Sequence, residues 1–520
     1  MIPTANLAAL LLQTERRFPD RTGLIWRDET WRWAEISERV RSAAGALDAR
    51  GVTKGDRVLV HARNSNAMFE TMWACWMVGA VFVPTNFRLS PPEVAYLAQS
   101  SGARVHIFDA AFPAHAAAAR EANAAAQLEV TIGGGTLDWE TLVAERTNAL
   151  HVAVDVMADD PCWFFYTSGT TGRPKAAVLT HGQMDYVICN HLCDLMPGTT
   201  EQDVSLVVAP LSHGAGIHQL SQVARGAPTV LMPAERLDCA EAWRLVERHR
   251  VSNMFTVPTI LTMLTRDEAV DRFDHSSLRY VIYAGAPMYR ADQQHALRKL
   301  GTVLVQYFGM GEVTGNITVL PPALHSIEDD PGLPIGSCGV PRTGMEIVIL
   351  DPDGKRLSAG ETGEICVRGP GVCAGYFNNP DATRKAFAHG WFHTGDLGHI
   401  DARGFLYITG RASDMFISGG SNVYPREVEE LLIAHPAVAE ACVVGMPHPK
   451  WGESGVAVLV PMPDAEIREP EIAAHLEGKL ARYKWPARFV VWDELPKSGY
   501  GKVTKRDVRM RLEAKGIRFE

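Results

Sequence analysis

The densest chemistry in the chain lies in one run, Tyr166-Thr167-Ser168-Gly169-Thr170-Thr171-Gly172-Arg173-Pro174-Lys175. Hydroxyls and glycines share it, and a lysine closes it. Small residues let backbone N–H groups approach an anion, hydroxyls add donors, and Lys175 supplies a point charge. Together they suit a polyphosphate. The run does not fit G-x-x-x-x-G-K-[ST]. Lys175 follows Pro174 and precedes Ala176, and residues 176–180 read as a strand where that motif has a helix.

A loop of this kind needs a strand to launch it and a sheet to hold it. From about 162 to 310, short β-rich runs alternate with helical stretches. The runs are Trp163–Tyr166, Val204–Ala209, Thr229–Met232, Asn253–Val257, Tyr280–Tyr283 and Val303–Tyr307. This alternation predicts α/β layers on a largely parallel sheet. Alanine-rich residues 113–127 predict a surface helix. From about 346 the texture changes to tight hairpins with turns at 351–354 and 401–404. After Arg411 a small α+β unit follows, with helices near 425–434, 469–483 and 503–514 and strands near 441–445, 455–460 and 488–492. The boundary falls near Gly410–Ser413, which gives domains 1–410 and 411–520.

Bulk properties agree with two unequal domains. The 520 residues exceed what one compact core usually serves. Acidic residues number 60 and basic residues 51, a net charge of −9, so a sequence-independent nucleic-acid binder is disfavoured. None of the nine cysteines forms a C-x-x-C pair, so spacing predicts neither disulfides nor a zinc site. The longest apolar run, Met72 to Val83, is short for a membrane span and reads as buried helix and strand. Leu7 to Leu12 starts an amphipathic helix, not a signal peptide. The expected compartment is the cytoplasm, without integral membrane association. Homo-oligomerisation stays open.

Other motifs follow the phosphate run in order. They are Gly285-Ala286-Pro287, Gln306-Tyr307-Phe308-Gly309-Met310-Gly311-Glu312, and Gly390-Trp-Phe-His-Thr-Gly-Asp396. Then come Gly410-Arg411, the stretch from Ser418-Gly419-Gly420 to Glu429, and Pro496-Lys-Ser-Gly-Tyr-Gly-Lys502. This ordered set resembles the adenylate-forming superfamily of acyl-CoA synthetases, luciferases and peptide-synthetase adenylation domains. The resemblance covers most of the chain. It implies a large N-terminal domain of βα layers with a distorted β-barrel, and a small mobile C-terminal α+β domain. It also implies an AMP-forming acid–thiol ligase with ATP, Mg²⁺ and coenzyme A. A carboxylate attacks the α-phosphate of ATP to give acyl-AMP and pyrophosphate, and a thiol then displaces AMP.

The resemblance also assigns roles. Thr167 to Gly172 and Lys175 cradle phosphates, with Lys175 also acting in catalysis. Lys502 contacts the reacting carboxylate and phosphate oxygens. Glu312, with Thr167, holds Mg²⁺, a hard ion that needs few carboxylates beside phosphate oxygens. Asp396 accepts both ribose hydroxyls, with Arg411 as its companion. Gly285, Ala286 and Pro287 border adenine and acid, and Gln306, Tyr307, Phe308, Gly309 and Met310 line the nucleotide site. His213 gates nucleotide and acid. The acid pocket is expected from His213, Ile217, Tyr283, Gly285, Met310, Gly315 and Ile317. Ser418, Gly419 and Gly420 line the thiol tunnel after the small domain swings. His218, His393 and His399 read as structural.

Three positions depart from the family pattern: Gly311 replaces a threonine before the magnesium glutamate, Ser413 replaces a charged hinge residue, and Ile417 stands where many fatty acyl members have lysine. At Gly311 a donor to the α-phosphate is missing, and Thr314 or a backbone N–H is expected to replace it. The apolar pocket positions point to a medium- or long-chain fatty acid, and so to fatty acid metabolism, or to an aromatic acid. Loading of a carrier protein is the second enzymatic reading. Residues 212–219 hold no carboxylate for an amino-acid amine, and the span from Glu312 to Asp396 leaves no room for the insertion that blocks domain switching. A nucleotide-sensing pseudoenzyme is a third reading, disfavoured by the retained lysines and carboxylates.

Overall fold

The computed structural model describes residues 2–167, 173–233, 236–286, 288–497 and 503–519. Ser168 to Gly172, Pro287 and Lys502 therefore lie outside the described residues, and their assignments rest on the motifs alone.

Two largely parallel sheets form the body. The first has six strands in the order Lys175–Thr180, Pro161–Thr167, Val81–Thr85, Arg57–His61, Val105–Asp109 and Leu128–Ile132. The second has seven, running from Leu304–Gln306 through Tyr280–Tyr283, Asn253–Thr256, Ser205–Val207 and Thr229–Leu231 to Thr22–Trp26 and Glu29–Arg32. Strand Pro161–Thr167 therefore joins the first sheet, while the other predicted runs build the second. Strands such as Val-Phe-Val-Pro-Thr are apolar on both faces, as parallel strands covered on both sides must be.

The main core lies between the sheets, where Trp33, Trp73, Trp76 and Trp163 pack with strand residues from both. The run Met72 to Val83 divides as expected, into the end of the buried helix Asn66–Met77 and the start of strand Val81–Thr85. The Ser65 hydroxyl caps this helix, accepting from Met68 N–H at 3.2 Å. The alanine-rich helix is shorter than expected, Pro113–Ala122. Asn123 ends it by donating to the Ala103 carbonyl at 2.8 Å.

Six strands and two helices matter to the site. We label them β1 (Pro161–Thr167), β2 (Lys175–Thr180), α1 (Gly214–Arg225), β3 (Tyr280–Tyr283), β4 (Gly363–Arg368), β5 (Phe392–Ile400), β6 (Leu406–Arg411) and α2 (Pro425–Ile433). Strands Glu346–Leu350, β4, β5 and β6 form an antiparallel sheet in linear order, with no closing pair among the described strands.

The C-terminal unit sandwiches strands Val438–His448, Gly452–Pro461 and Arg488–Val491 between helices. Alternation assigns the faces: Val443, Ala457 and Leu459 meet α2, while Cys442, Val444 and Val458 meet helix Lys505–Ala514. The expected helix 469–483 stops at Leu476. The chain then runs extended at Glu477 and turns through Gly478, at φ +73°. No helix among the described residues is long and apolar enough to cross a membrane.

Candidate active site

A cleft of about 2040 Å³ opens where the parallel strands end. Thr167, Val207, Val257, Gly285 and Gln306 reach it from the carboxyl ends of their strands or just beyond. Such edges are where open α/β sheets commonly bind ligands.

The polar end begins with β1 and β2. They are antiparallel, and Thr167 stands opposite Lys175, so the phosphate run is pinned at both ends by one cross-strand pair. The Thr167 hydroxyl donates to Glu312 Oε1 at 2.7 Å, and the Tyr376 hydroxyl donates to the same oxygen at 2.9 Å. Glu312 is 4% exposed. Its Oε2 has no hydrogen-bond partner among the described residues. A buried carboxylate with one free oxygen, next to a hydroxyl and a phosphate-type loop, fits Mg²⁺. Burial and the Glu312 charge push the Tyr376 phenol well above its ordinary pKa, so it stays a donor. The Lys175 ammonium lies 5.4 Å from the Tyr376 ring centre, a cation–π contact that orients it. Sequence reasoning missed Tyr376. An uncharged residue 64 positions from Glu312 carries no local signal.

Asp396 and Arg411 face each other across β5 and β6. Arg411 Nε donates to Asp396 Oδ1 at 3.1 Å. Asp396 is buried, whereas the arginine is half exposed toward the cleft. His213 sits at the start of α1, with Nδ1 2.9 Å from the Ser212 hydroxyl and its ring edge-on to Phe165 at 5.1 Å. Gln306, Tyr307, Phe308, Gly309, Met310, Gly285 and Ala286 all line the same cleft.

Gly311 has a packing reason. A Cβ there would stand 2.4 Å from Phe165 and 2.7 Å from the Thr167 methyl. Phe165 occupies the space that a threonine at 311 would need. Thr314 does not replace the missing donor, because its hydroxyl donates to the Val313 carbonyl at 2.6 Å.

Another part of the lining is apolar. Ile217, Met310 and Gly315 line the cleft there, together with Phe255 and Tyr307, whose rings stack at 6.0 Å. Gly309 and Gly315 cross so closely that a Cβ on Gly309 would lie 2.2 Å from Gly315 Cα. Behind them the fully buried Arg342 donates to the Gly315 carbonyl at 3.3 Å, and burial lowers its pKa to about 10.

Two expected pocket residues lie elsewhere. Tyr283 is fully buried beneath the sheet. Its hydroxyl donates to Gln306 Oε1 and accepts from Gln293, while its ring packs with Val281 and Leu304. Ile317 is buried in a separate cluster with Val313, Ile365 and Val367. Neither borders the cleft.

The C-terminal unit closes one side. Tyr289 packs into its core, and Arg290 N–H donates to Glu430 at 3.3 Å. Lys497 and Val503 bridge each other and both line the cleft. Lys497 also pairs with Glu440 at 2.9 Å, and Lys505 is tied to Glu429. Ser418, Gly419 and Gly420 form a hairpin turn that does not border the cleft.

Comparison with known proteins agrees with this geometry. Residues 11–377 match the model of the AMP-binding enzyme family, and residues 427–502 match the AMP-binding enzyme C-terminal domain. A feruloyl-CoA synthase of Amycolatopsis sp is 38% identical over 509 residues, covering 98% of this chain and 99% of that protein. An indoleacetate–CoA ligase of Aromatoleum aromaticum is 33% identical over 503 residues, covering 96% of each. An O-succinylbenzoate coenzyme A synthetase of Bacillus subtilis, solved with ATP and a magnesium ion, superposes with a TM-score of 0.85. It is 32% identical, and the match covers 98% of this chain and 100% of that one. The chain therefore belongs to the AMP-binding enzyme family, among the acyl-CoA synthetases of the adenylate-forming superfamily.

Proposed function

We propose that this enzyme converts an aryl-bearing carboxylic acid, ATP and coenzyme A into the acyl-CoA, AMP and pyrophosphate. The observation that carries the reading is one continuous cleft with the Thr167–Glu312–Tyr376 triad and the Asp396–Arg411 pair at its polar end and stacked Phe255 and Tyr307 at its apolar end. Relatives named for feruloyl-CoA and indoleacetate support an aromatic acid over an alkyl chain.

In the first half-reaction a carboxylate oxygen bonds to the α-phosphorus, and the bond to the pyrophosphate oxygen breaks. Two anions must meet, so orientation and charge neutralisation dominate the barrier. Ser168 to Gly172 and Lys175 hold the phosphates, Asp396 accepts from the ribose hydroxyls, and Arg411 steadies Asp396. Lys502 brings its ammonium to the reacting oxygens. Gly285, Ala286, Pro287 and Phe308 flank the adenine, and His213 bounds the acid carboxylate. Thr167 and Glu312 would hold Mg²⁺, which neutralises phosphate charge when bound.

In the second half-reaction the coenzyme A sulfur bonds to the acyl carbon, and AMP leaves with the carboxylate oxygen. Residues 411–520 act as the moving domain, with Ser413 as hinge, and the swing brings Ser418–Gly420 to the thiol path. Ser413 is small and its hydroxyl bonds only its neighbour Asp414 among the described contacts, which suits a hinge.

A panel of cinnamic, indoleacetic, benzoic and C8–C16 fatty acids, assayed for CoA-dependent AMP release, tests the reading. Aryl acids are expected to give the highest kcat/KM. Fatty acids tenfold above every aryl acid would overturn the aryl assignment.

A further inference from the structure

The sheet that carries Asp396 holds a second constellation that the ligase reaction does not use. We propose that Glu364, Cys366 and His393 bind a thiophilic divalent cation of the Zn²⁺ class.

Sequence spacing conceals this set, because its cysteine and histidine are 27 residues apart. Register brings them together: Cys366 stands opposite His393 across β4 and β5. Glu364 lies two residues earlier on β4, on the same face. One ligand atom from each falls within 4.8 Å of the others. Cys366 Sγ is 3.4 Å from His393 Nδ1, and Glu364 Oε2 is 2.8 Å from it. Ligand atoms on a tetrahedral zinc ion stand roughly 3.3–3.6 Å apart. The Cys–His gap already fits, and the Glu–His gap must open by about 0.5 Å.

The surroundings orient the ligands. His393 Nε2 faces the Ala388 carbonyl at 3.2 Å, where only N–H can donate. That bond fixes the ring and turns Nδ1 toward Cys366 and Glu364, as a backbone carbonyl does for a metal-ligating histidine. Glu364 Oε1 accepts from Gly395 N–H at 3.0 Å, which leaves Oε2 for the ion. The Nδ1–Oε2 gap is filled by a proton or by a metal. Cys366 is fully buried, but Glu364 and His393 both line the cleft and give the ion a route in. Cys366 would bind as thiolate, its proton leaving to solvent, and the fourth position is left to water. A bound ion would cross-link β4 and β5 beside the nucleotide residue Asp396.

Full-length protein titrated with Co²⁺, in excess Mg²⁺, tests this by absorption, with equilibrium dialysis for Zn²⁺. The expected result is one ion per chain and a thiolate-to-Co²⁺ charge-transfer band that Mg²⁺ does not displace. Cys366→Ser should abolish the band, and His393→Gln should weaken affinity at least tenfold. If Cys366→Ser does not fold, His393→Gln decides on the same readout. Absence of the band, its survival in Cys366→Ser, or unchanged affinity in His393→Gln would reduce the cluster to a plain Glu–His hydrogen bond and overturn the site.

Discussion

The two ends of the cleft are built by different physics. At the polar end the contacts are made by carboxylates, hydroxyls and a guanidinium, and part-buried hydrogen bonds hold them. Glu312 receives two hydroxyls, and Asp396 receives Arg411 from the opposite strand. At the apolar end no single group is decisive. Shape comes from Gly309 crossing Gly315, from Phe255 stacked on Tyr307, and from Arg342 holding a backbone carbonyl behind them. Changes at the first end should strike rate and metal dependence, and changes at the second should strike acid selectivity.

The largest effect is expected from Glu312→Gln. It keeps size and the Thr167 contact but removes the charge, so kcat should fall about 10²-fold with a raised Mg²⁺ requirement. An unchanged Mg²⁺ titration would break the polar half of the comparison. Gly315→Ala comes next. A Cβ there would stand 2.5 Å from the Tyr307 ring, at a φ of +74°. The expected cost is about 1–3 kcal/mol of stability, with a rise in KM for the acid and little change in KM for ATP. Equal rises in both would show that the two ends are not separable. Tyr376→Phe should be milder, a several-fold loss matching about 1 kcal/mol for one hydrogen bond. Its Mg²⁺ titration should shift while acid KM stays fixed.

This contrast also explains what could be read from the chain. Lys175, Glu312, Asp396 and Arg411 were legible because charged residues among glycines and hydroxyls have few structural uses. All four border the cleft. Tyr283 was misplaced because β3 is apolar on both faces, so alternation does not reveal which side meets a ligand, and Ile317 because a buried isoleucine serves a packing cluster as readily as a pocket wall. Phe255 and Tyr376 were missed because aromatic residues announce packing, not chemistry. The Gly311 departure looked like a lost donor, and only its distance to Phe165 shows a fitted gap. The alternation of strands and helices gave the α/β layers, but it could not say that Pro161–Thr167 would leave its neighbours for the other sheet.

In the proposed function the cleft forms an acyl-adenylate before any thiol is needed, with Lys502 serving that step alone. The most direct measurement is acid-dependent exchange of labelled pyrophosphate into ATP without coenzyme A, in the native enzyme and in Lys502→Ala, beside thiolysis of supplied acyl-AMP. Exchange in the native enzyme, its loss by about 10²-fold or more in Lys502→Ala, and thiolysis retained in the variant are the predicted results. Formation of ADP, an absolute need for coenzyme A, or equal loss of both half-reactions would contradict the account.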